Sequence, residues 1–276
     1  MGADILLETI DTLYETLGDE VDNLTVERVV LGIFFTGVKL SNGMGGLSYT
    51  PIKSIPDAVC CPRTARAMPS SGKMAGENVR YFLDEMFQGK PLKKTLGIAV
   101  MNALATTCWA MGKQNESYVL EKNVDPVDKI EIGEGTHTVI VGALVPYIRR
   151  LIKNDREFSI LELDSSALKE RELQYYVPTE KAHEVIPNAD HVIITGTTLI
   201  NDTLEGLLEL VKPGAKVIVV GPTVGMMPEA LFKRNVTYVG GVLVTRPDEL
   251  LDIIAEAGSG YHFYGRYAEK TVIWKK

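Results

Sequence analysis

The chain is poor in the residues that usually announce a metal or redox site: it holds three cysteines, four histidines and two tryptophans in 276 residues. Cys60 and Cys61 are adjacent, so no disulfide framework can be drawn and a reducing, cytoplasmic setting is expected. No C-x-x-C, H-x-x-x-H or H-E-x-x-H spacing occurs, which argues against structural zinc. His137, His183, His191 and His262 are scattered, and no Ser-His-Asp, Cys-His or paired-acid arrangement stands out. Both G-x-G-x-x-G and the P-loop are missing. Basic residues are in deficit, 29 Lys plus Arg against 36 Asp plus Glu for a net charge of -7, so a phosphate backbone is repelled and nucleic acid is not an expected partner. The first residues carry Asp4, Glu8 and Asp11 where an export signal needs Lys or Arg before an apolar block. The most apolar stretches, 96–111 and 192–200, are too short or too polar for the roughly 20 residues that cross a bilayer.

What is present is ordinary globular composition, 45% hydrophobic and 24% charged. At about 150 residues per domain, the length suits one large domain or two modest ones. Leu6, Ile10, Leu13 and Leu17 recur on one helical face, and Gly18 ends that helix. The run VERVVLGIFFTGV over 26–38, the Ser41–Gly46 turn and the segment 47–50 read as a hairpin with a flexible tip. A proline-rich loop follows, then a helix with Val79, Phe82, Leu83 and Met86 in one stripe, for which Ser70 or Ser71 is the candidate cap. The segment 96–111 is apolar nearly all round and predicts a buried helix.

Beyond about residue 125 the pattern changes to short β-branched runs at 138–141, 159–163, 191–195, 216–220 and 236–239, alternating with amphipathic stretches. That alternation predicts a mostly parallel sheet covered by helices on both faces, over 125–276, beside a smaller α+β domain over 1–124.

Ligands of such sheets gather at the carboxyl ends of the strands. Gly142 follows the first run and lets the backbone turn before Pro146 opens a helix. Glu162 and Asp164 close the second run, where an acid can hold ribose hydroxyls; otherwise one faces solvent and the other caps the Asp164-Ser165-Ser166 turn. Thr195, Gly196, Thr197, Thr198 and Asn201 follow the third run and offer hydroxyls and backbone N–H groups to a small polar ligand, although Asn201 or Asp202 can instead cap the next helix. Gly221, Pro222 and Thr223 repeat the arrangement after the fourth run, so the two loops are expected to form one pocket, with Met226 and Met227 as an apolar wall or as plain packing. From the first half, Asn42 with Ser41, and Glu77 with Asn78, are candidates to point into a cleft between the domains; turn formation and the helix dipole are the alternatives. Cys60 and Cys61 could meet a soft ion or pack at an interface.

The tract 190–241, with TGTTLINDT and GPT, resembles the Rossmann-like domain of the family named for putative heavy-metal chelation, and the first half is similar to its enolase N-terminal-like companion domain. The resemblance implies a site between the domains for a heavy metal or a metal-bearing or flavin- or pterin-like small molecule. It places that site on Thr195, Gly196, Thr197, Thr198, Asn201, Gly221, Pro222 and Thr223. Two functions are therefore expected as alternatives: a small-molecule or metal-complex binding protein, or a transferase-like enzyme of cofactor metabolism with a nucleoside-bearing cosubstrate on Glu162 or Asp164. A homo-oligomer is compatible with either.

Overall fold

The computed structural model describes residues 4–54 and 71–276. Helix α1 (Asp4–Leu17) buries the expected stripe, and α2 (Glu20–Asn23) follows it. Strands β1 (Val26–Leu31), β2 (Phe35–Leu40) and β3 (Gly45–Tyr49) form an antiparallel sheet in that order. After it come α3 (Val79–Glu85) and α4 (Pro91–Ala110).

The rest of the chain supplies β4 (Tyr118–Lys122), β5 (His137–Val141), α5 (Val145–Lys153), β6 (Glu157–Glu162), β7 (Tyr176–Pro178) and α6 (Ala182–Val185). Next are β8 (His191–Thr195), α7 (Leu204–Glu209), β9 (Lys216–Val220) and α8 (Glu229–Lys233). The chain closes with β10 (Tyr238–Val244), α9 (Pro247–Ala255), α10 (Gly260–Phe263) and β11 (Ala268–Lys275).

Two expectations are corrected here. The apolar run 26–38 is two strands rather than one, because the chain turns at Gly32-Ile33-Phe34. Gly32 lies against α9, where an added Cβ would sit 2.5 Å from Ile254 Cγ2, and Ile33 and Phe34 are exposed at the bend. A long-range contact sets that turn, and local composition does not encode it. The cap of α3 is Asn78, whose Oδ1 accepts from Arg80 N at 2.9 Å; Ser71 lies well upstream, and Ser70 is outside the described residues.

The larger sheet runs β4-β11-β10-β9-β8-β5-β6-β7, parallel from β10 to β7, with β11 antiparallel to both neighbours. The central strands alternate cleanly between two cores, as a period of two requires. Val139, Val141, Val192, Ile194, Val217 and Val219 face the core that also holds α1 and α4. Ile140, Ile193 and Ile218 face the core built with Tyr147, Ile148 and Leu151 of α5. The first of these cores is continuous across residue 125. Polar contacts reinforce the junction: Asn102 of α4 donates to Leu47 O at 2.8 Å and to Thr223 O at 3.1 Å.

Candidate functional site

The chain reverses direction of growth at β5. It adds β6 and β7 on one side, then returns to lay β8, β9 and β10 on the other. The turns leaving β5 and β8 diverge to opposite faces, and a crevice opens between them at the carboxyl ends.

That crevice is a cavity of about 470 Å³. Gly142 sits at its floor with φ 96°, and an added Cβ would stand 2.7 Å from Thr195 Cγ2. Glycine is therefore needed twice over here, for the left-handed backbone and for the close approach of the two turns. Thr195, Thr197, Thr198 and Asn201 line one wall, Leu161, Glu162 and Leu163 a second, and Glu205, Leu207, Glu209 and Leu210 of α7 and its end a third. Thr195 Oγ1 accepts from Thr197 Oγ1 at 3.2 Å and Thr198 Oγ1 donates to Thr195 O at 2.7 Å, so the hydroxyl bend is pre-ordered by its own bonds.

The structure thus brings together Gly142, Glu162, Thr195, Thr197, Thr198 and Asn201. It places the other candidates elsewhere. Gly196 is buried behind the wall, where a Cβ would be 2.1 Å from Val224 Cγ2. Asp164 caps its turn, accepting from Ser166 N at 3.0 Å, and pairs with Lys53 beyond the cavity mouth. Gly221 and Pro222 line a different, smaller cavity. Thr223 is buried with its Oγ1 accepting from Tyr49 N at 3.1 Å, which ties the two halves of the chain together. The expected single pocket from both loops does not form, because the second loop turns away to support β3. Met226 and Met227 are core packing.

Asn42 Nδ2 donates to Thr107 Oγ1 at 3.0 Å and its Oδ1 accepts from Met44 N at 3.1 Å, so it closes the turn between β2 and β3. Glu77 is exposed beside the α3 cap, and its carbonyl accepts from Val26 N. Neither lines the cavity, whose described lining lies wholly within 141–210. Among the described residues of the first half, Lys94 of α4 pairs with Asp202 in the cavity lining and Lys53 pairs with Asp164 at the mouth. Asn201 does not cap α7: its Oδ1 accepts from Thr203 Oγ1 at 2.7 Å, and Thr203 occupies the cap position. Cys60 and Cys61 lie outside the described residues.

Sequence reading missed Glu205 and Glu209. The available signal was two carboxylates at i, i+4 on the helix that follows the hydroxyl-rich turn. Arg234 Nε pairs with Glu205 Oε1, and its guanidinium also holds Glu8 at 2.8 Å. Glu205 Oε2 is buried and has no hydrogen-bond partner among the described residues. With Glu162, Asp202 and Glu209, it makes an acidic lining; no Lys, Arg or His is among the described residues of the wall. Arg234 and Lys94 compensate Glu205 and Asp202, so the charge that repels phosphate and welcomes hydrogen-bond donors comes from Glu162 and Glu209, which have no ion-pair partner among the described residues.

Among the described residues no group of three or more His, Cys, Asp or Glu converges to hold a metal ion. The cavity's donors are carboxylate and hydroxyl oxygens, which suit hard cations, whereas a soft heavy ion wants thiolate or imidazole. These residues do not fit a bare heavy metal.

At the mouth, Lys53 holds the Asp164 carboxyl down at about 2, with Ser166 adding to the effect. The pair is therefore intact above the ordinary carboxylate range and is lost as pH falls through about 2. An NMR titration of Asp164 should show that low midpoint, and Lys53→Met should return it toward the usual value near 3.9. A midpoint unchanged by the substitution would rule out the pairing.

Two family models, both described as "Putative heavy-metal chelation", match residues 14–105 and 125–273. An uncharacterised protein of Methanocaldococcus jannaschii is 28% identical over 200 residues, 71% of this chain and 72% of its own. Two crystal structures of proteins of unknown function from the DUF364 family have the same fold. The one from Pyrococcus horikoshii gives a TM-score of 0.75 at 18% identity, covering 97% of this chain and 98% of its own. The one from Desulfitobacterium hafniense gives 0.67 at 19%, covering 96% and 99%.

Proposed function

The chain belongs to the family described as "Putative heavy-metal chelation", and from that premise we propose that it binds a small, donor-rich heterocycle, neutral or cationic, at the strand-order switch point. Nucleosides, pterins and flavins are the class meant. A heavy metal, where one is carried, enters as part of such a complex. The observation that carries this reading is a cavity of about 470 Å³ at the switch point, walled by the hydroxyls of Thr195, Thr197 and Thr198 and by Glu162, Glu205 and Glu209. A ligand amino or hydroxyl group that donates to one of these carboxylates gains roughly 1.5–3 kcal/mol, the worth of a hydrogen bond to a charged group. The volume lies within the roughly 300–1,000 Å³ usual for small-molecule sites. Leu161, Leu207 and Leu210 offer apolar surface to a flat ring, and Glu162 offers a carboxylate to vicinal hydroxyls.

A second reading, an enzyme with a nucleoside-bearing cosubstrate, is favoured by one feature: Glu162 closes the second strand of the sheet, where ribose hydroxyls are held in related architectures. Thermal-shift and calorimetric titrations with adenosine, S-adenosylmethionine, riboflavin, ATP and cadmium ion test both. At least one of the three phosphate-free organic molecules should raise the melting temperature, ATP should not, and Glu205→Gln should weaken the response about tenfold, as expected for one charged hydrogen bond. Silence from all three, or equal stabilisation by ATP and adenosine, overturns the proposal. Stoichiometric cadmium binding without any organic ligand does so in favour of direct chelation.

A further inference from the structure

Past Gly142 the same turn lines a second cavity, of about 200 Å³, between the start of α5, the Gly221 turn after β9 and the strands β10 and β11. It is independent of the heterocycle site. Its wall is mostly apolar, with residues such as Leu144 and Val242, and its polar lining residues are Asp125, Lys270, Tyr147, Tyr264 and Thr271. Asp125 Oδ1 accepts from Val127 N at 3.2 Å and so caps a short helical turn. Its other oxygen stands 3.6 Å from Lys270 Nζ, near enough to compensate the charge and too far for a hydrogen bond. Lys270 Nζ also lies 5.5 Å from the centre of the Tyr264 ring. Tyr147 is 8% exposed, and its hydroxyl lies near the Asp125 carboxylate. Burial, and then the neighbouring Asp125 charge, push both phenols far above their ordinary range, so both remain protonated donors at any physiological pH.

We propose that this cavity binds a small zwitterion of the α-amino-acid type, its ammonium on Asp125 and its carboxylate on Lys270 and a tyrosine hydroxyl. The loose Asp125–Lys270 pair is already neutral overall, so a zwitterion replaces one weak contact by two charge-assisted hydrogen bonds without leaving net charge behind. A lone cation or anion would compensate one partner and strand the other, which is costly in a partly buried site. An uncharged molecule would supply neither charge. The space, about 200 Å³, is below the roughly 300 Å³ at which drug-sized ligand sites begin and suits a glycine-, alanine- or serine-sized molecule.

Calorimetry on the full chain with glycine, L-alanine and L-serine, against ethylamine and propionate as half-molecules, tests this. At least one amino acid should bind at a single site with millimolar or tighter affinity, about tenfold or more ahead of either half-molecule. Asp125→Asn should weaken it at least tenfold while folding normally, since Asn caps a helical turn as well as Asp does. Lys270→Met, at an exposed side chain, should do the same and is the second variant should the first fail to fold. The proposal is overturned by absence of binding at about 10 mM of all three amino acids, by propionate matching alanine, or by unchanged affinity in a folded Asp125→Asn or Lys270→Met. Its ligands differ from those of the switch-point cavity, so either site can fail without the other.

Discussion

Gly46→Ala is expected to remove about 3 kcal/mol or more of folding stability, a large share of the roughly 5–15 kcal/mol that holds a typical domain together. At that position β3 lies directly on α4, and an added Cβ would fall 2.0 Å from Ala99 O and 2.5 Å from Ala103 N. Both obstacles are helix backbone, so no side-chain rotation relieves them. The strand and the helix must separate, and with them go the Asn102 bonds to Leu47 and Thr223 that join the two sheets. Gly43→Ala is the control. Gly43 has a positive φ of 81° but open space around it, so alanine there should cost only about 1–2 kcal/mol of backbone strain. Chemical denaturation of the two variants checks the contrast; equal losses would mean that close packing of β3 on α4 is not what Gly46 provides.

The double substitution Glu162→Gln with Glu205→Gln should reduce affinity for whichever of adenosine, S-adenosylmethionine or riboflavin binds by about a hundredfold or more. Each charged acceptor contributes roughly 1.5–3 kcal/mol, and glutamine keeps the volume while removing the charge. The same change should narrow or reverse the discrimination against ATP, because the Glu162 carboxylate that repels phosphate is gone and the Glu205 charge that compensates Arg234 goes with it. Titration calorimetry reads both effects. If affinity for the organic probe is unaltered, the acidic lining plays no part in recognition. Gln at 205 also weakens the ion pair to Arg234, so a melting curve of the unliganded variant separates loss of stability from loss of binding.

Much of the frame was legible along the chain. The bounds of β8 and β9 follow from uninterrupted β-branched runs, because strands buried on both faces must be apolar at every position. The buried helix α4 was visible for the related reason that none of its sides is polar. The strands β4, β7 and β11 were not, since β4 and β7 are edges and β11 carries charges between its apolar residues. Of the candidate residues, Gly142, Glu162, Thr195, Thr197, Thr198 and Asn201, at or just past the ends of β5, β6 and β8, reached the cavity because strand direction delivers them there, whereas Asp164 and Gly196 in the same turns did not. Asn42 and Thr223 did not, because each found a nearer partner in a turn or a neighbouring strand, and Glu77 stands exposed beside the Asn78 cap. Glu205 was overlooked because its distinguishing property, one carboxylate oxygen paired and one left without a donor, depends on Arg234 arriving from a different helix.

By itself, the sequence determined a parallel α/β sheet with hydroxyl-rich turns at its carboxyl edge and an overall acidic, cysteine-poor composition. Those properties are local: they depend on periodicity and on which residues permit a turn. Only the tertiary structure decided that the TGTT turn opens onto a cavity while the GPT turn supports β3, and that carboxylates of α7 complete the wall. The choice rests on strand order and on which distant backbone packs against each turn, and neither is written in the residues of the turn itself.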